Sequence, residues 1–209
     1  MKKPRKLKFG KKFQILKNCK RVRICTLIEN EKDGEKESLV NEFGFSLYIE
    51  DGDFKFIFDT GQTGEFVENA FKMGVDLKEV QDIVLSHSHY DHTGGVKTFV
   101  ERISPKFNLH VNESFFDEKY KVLEDGSLKF LGNNFTKEFL CEKGVNIIPL
   151  SEDTVKLSEN VRLHTNFIPL NDFEKLQDCY VRKIGEKYPV DNMQDEVCLA
   201  IDTSKGLFI

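Results

Sequence analysis

Three of the five histidines in this 209-residue chain fall in one short segment, His87-Ser-His-Tyr-Asp-His92. His87 and His89 are two residues apart, so an extended backbone projects both imidazoles to the same side. Asp91 and His92 follow where the chain turns, so they can face a second, neighbouring ion. Three imidazoles and a carboxylate suit zinc, and they also suit iron or manganese. The spacing therefore predicts a site for a divalent metal.

The segment stands between a predicted strand and a predicted helix. Residues 82–86 form a short β-prone run, and residues 93–103 place apolar side chains at helical spacing. A loop at the carboxyl end of a strand is a usual position for a site in a layered α/β fold. Gly94 and Gly95 are expected to let the helix start pack close to the sheet, and the positive helix end would favour an anionic substrate. The alternative, a surface loop rich in histidine by chance, leaves this combination unexplained.

The remaining elements follow from hydrophobic period and turn residues. Asp-Gly within residues 50–53 predicts a hairpin between strands at 45–49 and 54–58. A helical turn is expected at Asp76, which resembles the start of a capping box. Other strands are predicted at 22–28, 107–111, 145–150, 161–168 and 197–203, and helices at 64–73 and in part of 113–143. This mixture predicts the α/β class.

Composition points to a soluble protein of the cytoplasm. Hydrophobic residues make up 39% and charged residues 32% of the chain. No apolar run is long enough to cross a bilayer, and no secretory signal follows the basic start. Five cysteines form no Cys-x-x-Cys pair, which favours reduced thiols over disulfides or a cysteine zinc site.

The N-terminus differs from the rest of the chain in charge. Residues 1–23 contain eleven Lys and Arg and no acid, and the remainder has an excess of 15 acidic residues. Two interpretations stay open. The basic arm could bind nucleic acid or another polyanion, or it could be a solvated leader that folds back on the acidic body. The lack of an RNA- or DNA-binding motif favours the second.

These residues match a known family pattern. His87-x-His89-x-Asp91-His92 resembles the defining motif of the metallo-β-lactamase superfamily, and Phe58-Asp59-Thr60-Gly61 resembles its Asp-Thr-Gly turn. Further segments look like the branch named after dihydropterin-methyl-aminobenzene-phosphate synthase: Leu27–Asn30, Phe43–Ser46, Gly74–Leu77 and, more loosely, Asp195-Glu196. The resemblance implies an αβ/βα sandwich over residues 22–209, and residues 1–21 would be a basic extension outside it.

The resemblance also implies roles for single residues. His87 and His89 would bind one metal, and Asp91 and His92 a second. Asp91 would also orient the nucleophilic water, and Asp59 would lie at the base of the site, which is compatible with a turn aspartate bonding its own backbone. The metal, most simply zinc, lowers the pKa of bound water to about 7. The implied function is hydrolysis of an ester or phosphoester in a small, anionic molecule.

The chain departs from the family in its last part. The superfamily takes further ligands from later in the chain, and this branch is expected to place one in a Gly-Cys-Ser-His-like segment after Gly206–Ile209. We therefore expect the sandwich to be truncated at its C-terminal end, with the Phe54, Phe56 and Phe58 face left open to self-association. His110 is interpreted as a strand residue, and so is His164, although other branches place a ligand 72 residues after the motif.

Three functions remain open. The first is a metal-dependent hydrolase, and the second is a nuclease of the same fold, which only the basic arm favours. The third is a non-catalytic module that binds one metal or none, which the end of the chain at Ile209 favours.

Overall fold

The computed structural model describes residues 22–32, 34, 38–168, 171 and 176–209. The basic extension expected at 1–21 lies outside these residues. The described α-helices are α1 (Glu65–Lys72), α2 (Tyr90–Thr93), α3 (Val96–Arg102) and α4 (Lys137–Lys143). The described strands are β1 (Val22–Ile28), β2 (Ser46–Asp51), β3 (Phe54–Phe58), β4 (Asp82–Val84), β5 (Asn108–Asn112), β6 (Lys119–Val122), β7 (Leu128–Phe130), β8 (Asn146–Leu150), β9 (Thr154–Lys156), β10 (Val161–His164), β11 (Tyr180–Arg182), β12 (Cys198–Thr203) and β13 (Gly206–Phe208).

Six strands form the central sheet, in the order β1-β2-β3-β4-β5-β8. The predicted hairpin is present, because β2 and β3 pair antiparallel and Asp51 stands opposite Phe54 across the turn. From β3 to β8 the neighbouring strands are parallel. Parallel strands bring their carboxyl ends to one edge, so the residues that follow β3 and β4 meet there.

Alternate side chains of the central sheet enter two separate cores. On one face, Tyr48, Ile57 and Ile83 pack in a cluster with Phe66 of α1 and Phe99 of α3. Period-2 alternation in the strands and an apolar stripe on each helix produce this helix-on-sheet layer.

The opposite face of the central sheet packs on a second sheet. This antiparallel sheet has the order β13-β12-β10-β9. Phe56 and Phe58 pack in one cluster with Leu163 and Leu199. The expectation that the Phe54, Phe56 and Phe58 face would be open is wrong, since Phe56 is 0% and Phe58 8% exposed. Strands β10 and β12 supply the apolar cover.

A third, small sheet replaces most of the helix expected within residues 113–143. Its order is β11-β6-β7, and α4 is the helical part of that range. Residues 119–122 alternate Lys-Tyr-Lys-Val, which is strand spacing, and the Tyr120 ring contacts Phe130 across the β6–β7 pair. Gly126 lies in the β6–β7 turn with φ of +80°.

The other elements differ from the sequence prediction mainly at their ends. The strand expected at 161–168 ends at His164. The 3₁₀ turn Leu77–Glu79 follows Asp76, whose side chain accepts a hydrogen bond from the Lys78 N–H. Among the described residues, no helix has the length and apolar character needed to span a bilayer.

Candidate metal centre

Asp59 anchors the end of β3 to the segment that follows β4. It adopts a left-handed backbone conformation with φ of +59°, and its N–H donates to the carbonyl oxygen of Val84 at 2.9 Å. The next residue, Thr60, donates its N–H to the carbonyl oxygen of His92 at 2.7 Å. The Asp-Thr-Gly turn therefore lies directly against the His87–His92 segment.

The carboxylate of Asp59 is fully buried and accepts three hydrogen bonds. Its Oδ1 accepts from the Ser86 N–H at 2.7 Å, and its Oδ2 lies 2.7 Å from both Ser86 Oγ and His92 Nδ1. A carboxylate is an acceptor, so His92 carries its proton on Nδ1. In the neutral ring, the lone pair of His92 is then on Nε2.

The Ser86 hydroxyl fixes the position of the ring proton on His87 in the same way. Its hydroxyl donates to Asp59, so the His87 Nδ1 atom, 2.9 Å from Ser86 Oγ, must be the donor in that contact. His87 therefore also keeps its Nε2 lone pair. One buried carboxylate, acting directly and through Ser86, sets the tautomers of two histidines.

The four residues of the motif form one cluster. The ring centre of His87 lies 4.3 Å from that of His92 and 4.7 Å from that of His89. The Oδ2 atom of Asp91 is 3.5 Å from His92 Nε2. The Nε2 atom of His89 is buried and has no hydrogen-bond partner among the described residues.

Burial favours the neutral form of two of these imidazoles. It lowers the pKa of His87 well below the ordinary histidine value, and the charges of His92, His89 and Lys119 act in the same direction. The pKa of His89 is lowered by burial and then by Lys119. For His92, burial acts to lower the pKa, but the hydrogen bond to Asp59 and the charges of Asp59 and Asp91 together outweigh it and raise the pKa.

The helix after β4 begins earlier than the sequence predicts. Tyr90–Thr93 is a short helix of its own, so Asp91 and His92 lie in a helical turn and not in an open loop. With only four residues, α2 contributes little of the helix dipole expected to favour an anion. The expected close packing of the glycines is present, because a Cβ on Gly94 would lie 1.8 Å from the Gln62 carbonyl oxygen.

The donors fit a divalent cation in type and protonation. His87 and His89 have lowered pKa values, and the neutral rings of His87 and His92 carry their lone pairs on Nε2. The buried Nε2 atom of His89 has no hydrogen-bond partner among the described residues, which costs free energy unless something binds it. In the described part of the chain, no three His, Cys, Asp or Glu side chains already converge as a metal-binding group. The fit rests on the chemistry of the donors.

A cavity of about 460 Å³ opens beside the cluster. Asp59, His87 and His92 line it together with Glu196 and apolar residues of both large sheets. Burial and the neighbouring Asp195 raise the pKa of Glu196. The sequence analysis assigned Glu196 no role. The feature that could have pointed to it is the Asp195-Glu196 segment, which loosely matches the family pattern.

Comparison with known proteins identifies the fold family. Residues 40–170 match the family model described as the metallo-β-lactamase superfamily. The chain belongs to the metallo-β-lactamase superfamily. This confirms the fold class and the family resemblance derived from the His-x-His-x-Asp-His motif.

One sequence relative and one solved structure show how far the similarity extends. The chain is 28% identical over 199 residues to the 7,8-dihydropterin-6-methyl-4-(β-D-ribofuranosyl)-aminobenzene-5′-phosphate synthase of Methanocaldococcus jannaschii, covering 90% of this chain and 66% of that protein. A solved structure described as a metal-dependent hydrolase of the β-lactamase superfamily superposes with a TM-score of 0.70 at 24% identity, covering 90% of this chain and 64% of the other. The chain thus spans slightly less than two thirds of these relatives.

A second solved structure, of a metallo-β-lactamase-like protein from Thermotoga maritima, agrees in fold. It has a TM-score of 0.51 at 15% identity and covers 90% of this chain and 77% of its own. At such identities the likeness establishes the architecture and not the reaction.

The two histidines outside the motif have other partners. His110 lies in β5, and its Nε2 atom is 2.5 Å from Asp82 Oδ1 in the sheet interior. His164 ends β10, and its Nδ1 atom is 3.0 Å from Thr154 Oγ1. The structure places each as a strand residue with a polar neighbour.

Proposed function

We propose that this chain carries a metal-dependent hydrolytic site that acts on an ester or phosphoester of a small, anionic molecule. The observation that carries the proposal is the Asp59–Ser86 network, which puts the lone pairs of neutral His87 and His92 on their Nε2 atoms in one half-buried cluster. A network that holds the proton on Nδ1 of both imidazoles has an obvious use in presenting Nε2 to a metal.

Each motif residue has a distinct part in this proposal. His87 and His89 would hold one ion, and Asp91 and His92 a neighbouring one. Zinc is the first candidate by donor type, and iron or manganese are alternatives. When bound, such ions lower the pKa of water to about 7 and polarise the scissile oxygen.

The chain's own residues supply orientation and proton control. Asp91, 3.5 Å from His92 Nε2, would orient the attacking water as well as bind. Asp59 keeps the His92 proton on Nδ1, and the apolar part of the cavity would exclude bulk water from the reacting groups.

Asp91 has two roles in the proposed site, as a metal ligand and as the group that orients water. Purified chain should contain a divalent metal by mass spectrometry and should hydrolyse bis-p-nitrophenyl phosphate or p-nitrophenyl acetate in a chelator-sensitive reaction. Asp91→Ala should lower kcat by about 100-fold or more, because it removes both a ligand and the group that orients water. Thr154→Ala serves as the control, since Thr154 bonds His164 away from the motif. Chain that binds no divalent metal contradicts the proposal.

One observation favours a second reaction. The relative from Methanocaldococcus jannaschii is named as a synthase, so the same activated centre could pass a phosphoryl or ribosyl group to an acceptor other than water. Product analysis with and without added alcohol acceptors would separate transfer from hydrolysis. The nuclease alternative rests on residues 1–23, almost all outside the described range.

We further propose that residues 22–209 act as one domain and that the protein works in the cytoplasm. The four described cysteines, Cys25, Cys141, Cys179 and Cys198, are all free thiols, as expected in a reducing compartment.

A further inference from the structure

Three charged side chains lie buried beside residues His87–His92, which we call the metal segment. Lys119 of β6 places its Nζ atom 2.5 Å from Asp195 Oδ1 and 3.0 Å from Asp191 Oδ2. All three side chains are at most 3% exposed. Charges so deeply buried are costly unless they are paired and hydrogen-bonded.

Asp195 also holds the backbone between two motif histidines. Its Oδ2 atom accepts a hydrogen bond from the Ser88 N–H at 2.8 Å, across 107 residues of sequence. Ser88 is fully buried and stands between His87 and His89. A hydrogen bond to a carboxylate is about twice as strong as one between neutral groups, so this contact fixes the peptide that joins the two imidazoles.

The charge balance distinguishes the two aspartates. One cation faces two carboxylates, and Asp191 alone would neutralise Lys119. The other oxygen of Asp191 accepts from the Met193 N–H at 2.9 Å, within its own turn. Both aspartates lie against Lys119, but of the two it is Asp195 that accepts a hydrogen bond from the Ser88 N–H.

We infer that Asp195, held in place by Lys119, is a positioning residue that sets the Ser88 backbone and so the spacing of His87 and His89 toward a metal. The inference rests on the proposed role of these histidines as ligands. Partners that orient metal ligands from outside typically change metal affinity by about 10–100-fold.

The test compares Asp195→Asn with Asp191→Asn in the whole chain. Each variant leaves Lys119 with one carboxylate, and the two replaced residues are equally buried. Zinc affinity is measured by competition with a chromogenic chelator, and exchange of the Ser88 amide is measured by NMR in metal-free protein. We expect Asp195→Asn to weaken zinc binding about 10–100-fold and to speed Ser88 exchange about tenfold or more. Asp191→Asn should do neither.

The outcomes separate this inference from the proposed function. Equal zinc affinities in the two variants, with equal Ser88 exchange, overturn the inference. Wild-type chain that binds neither zinc, iron nor manganese overturns the proposed function, and the Ser88 exchange rates still decide whether Asp195 holds the segment. If Asp195→Asn does not fold, wild-type exchange decides alone. A Ser88 amide as slow as those of β4 and β5 supports the inference, and one as fast as a free loop amide overturns it.

Discussion

At the scale of single residues, the chemistry of the site depends on where protons sit. An imidazole offers a metal one lone pair, and the hydrogen bond at its other nitrogen decides which atom carries it. Here a buried carboxylate fixes this for His92 directly and for His87 through the Ser86 hydroxyl. Asp59 is thus more than a turn residue, because the three hydrogen bonds that its carboxylate accepts come from Ser86 and His92.

Replacing Asp59 by asparagine should separate shape from proton control. The amide has nearly the same shape, but its NH₂ group would donate to His92 Nδ1 and move the ring proton to Nε2. We expect zinc affinity to fall about 10–100-fold and the free energy of unfolding to fall by about 1–3 kcal/mol. Chelator competition and urea denaturation measure the two effects.

Asp82→Asn is the matched control for that substitution. Asp82 is also a buried carboxylate bonded to a histidine, His110, but it lies at the start of β4, away from the motif. It should cost similar stability and leave zinc affinity unchanged. Equal losses of zinc affinity in both variants would show that Asp59 acts only through stability.

At the scale of elements, the metal segment is shaped by a close approach of two turns. The start of α3 presses on the turn after β3, where a Cβ on Gly94 would meet the Gln62 carbonyl oxygen and one on Gly95 the Thr60 carbonyl oxygen. Backbone atoms on both sides leave nothing flexible to move aside. Glycine is required at both positions because a Cβ would overlap a neighbouring backbone oxygen. The backbone angles of Gly94 and Gly95 would themselves allow a side chain.

Gly94→Ala should therefore destabilise the fold by about 3 kcal/mol, at the upper end of overpacking costs. Gly144→Ala is the comparison, because Gly144 has φ of +85° and no atom within 4 Å of an added Cβ. Left-handed strain alone should cost it about 1–2 kcal/mol. Urea unfolding gives both values, and a smaller loss at Gly94 than at Gly144 would argue against the close approach.

Elements fixed by local pattern could be predicted, and those fixed by distant partners could not. The Asp-Gly turn and the alternation of Phe54–Phe58 identify the β2–β3 hairpin from the sequence alone. Strand β6 was missed because β11, one of its two partners, is some 60 residues away. The start of α2 was missed because the side chain of its N-cap residue, His89, makes no capping hydrogen bond. Asp195 was missed because only folding brings it to Ser88.

At the scale of the whole molecule, the metal segment and the residues beside it are tied to all three sheets. Leu85 donates its N–H to the His110 carbonyl oxygen in the central sheet, and the Ser86 carbonyl oxygen accepts from the Val197 N–H beside β12. Tyr90 donates its N–H to the Leu131 carbonyl oxygen next to β7. A ligand that orders this segment should therefore stabilise the whole fold and not only the segment itself.

A bound metal should for this reason raise the melting temperature of the entire domain in one transition. At a free zinc concentration about 100 times its Kd, ligand binding contributes about 2.7 kcal/mol, which for a chain of this size is roughly 5–10 °C. Differential scanning calorimetry with zinc and then with excess chelator measures the shift. His87→Ala should abolish most of the zinc-induced shift. His110→Ala leaves the motif intact, so it should lower the melting temperature of the metal-free protein but keep the zinc-induced shift. An equal zinc effect in His87→Ala would place the stabilising ion elsewhere, because a site built on the neutral imidazole of His87 cannot survive its removal unchanged.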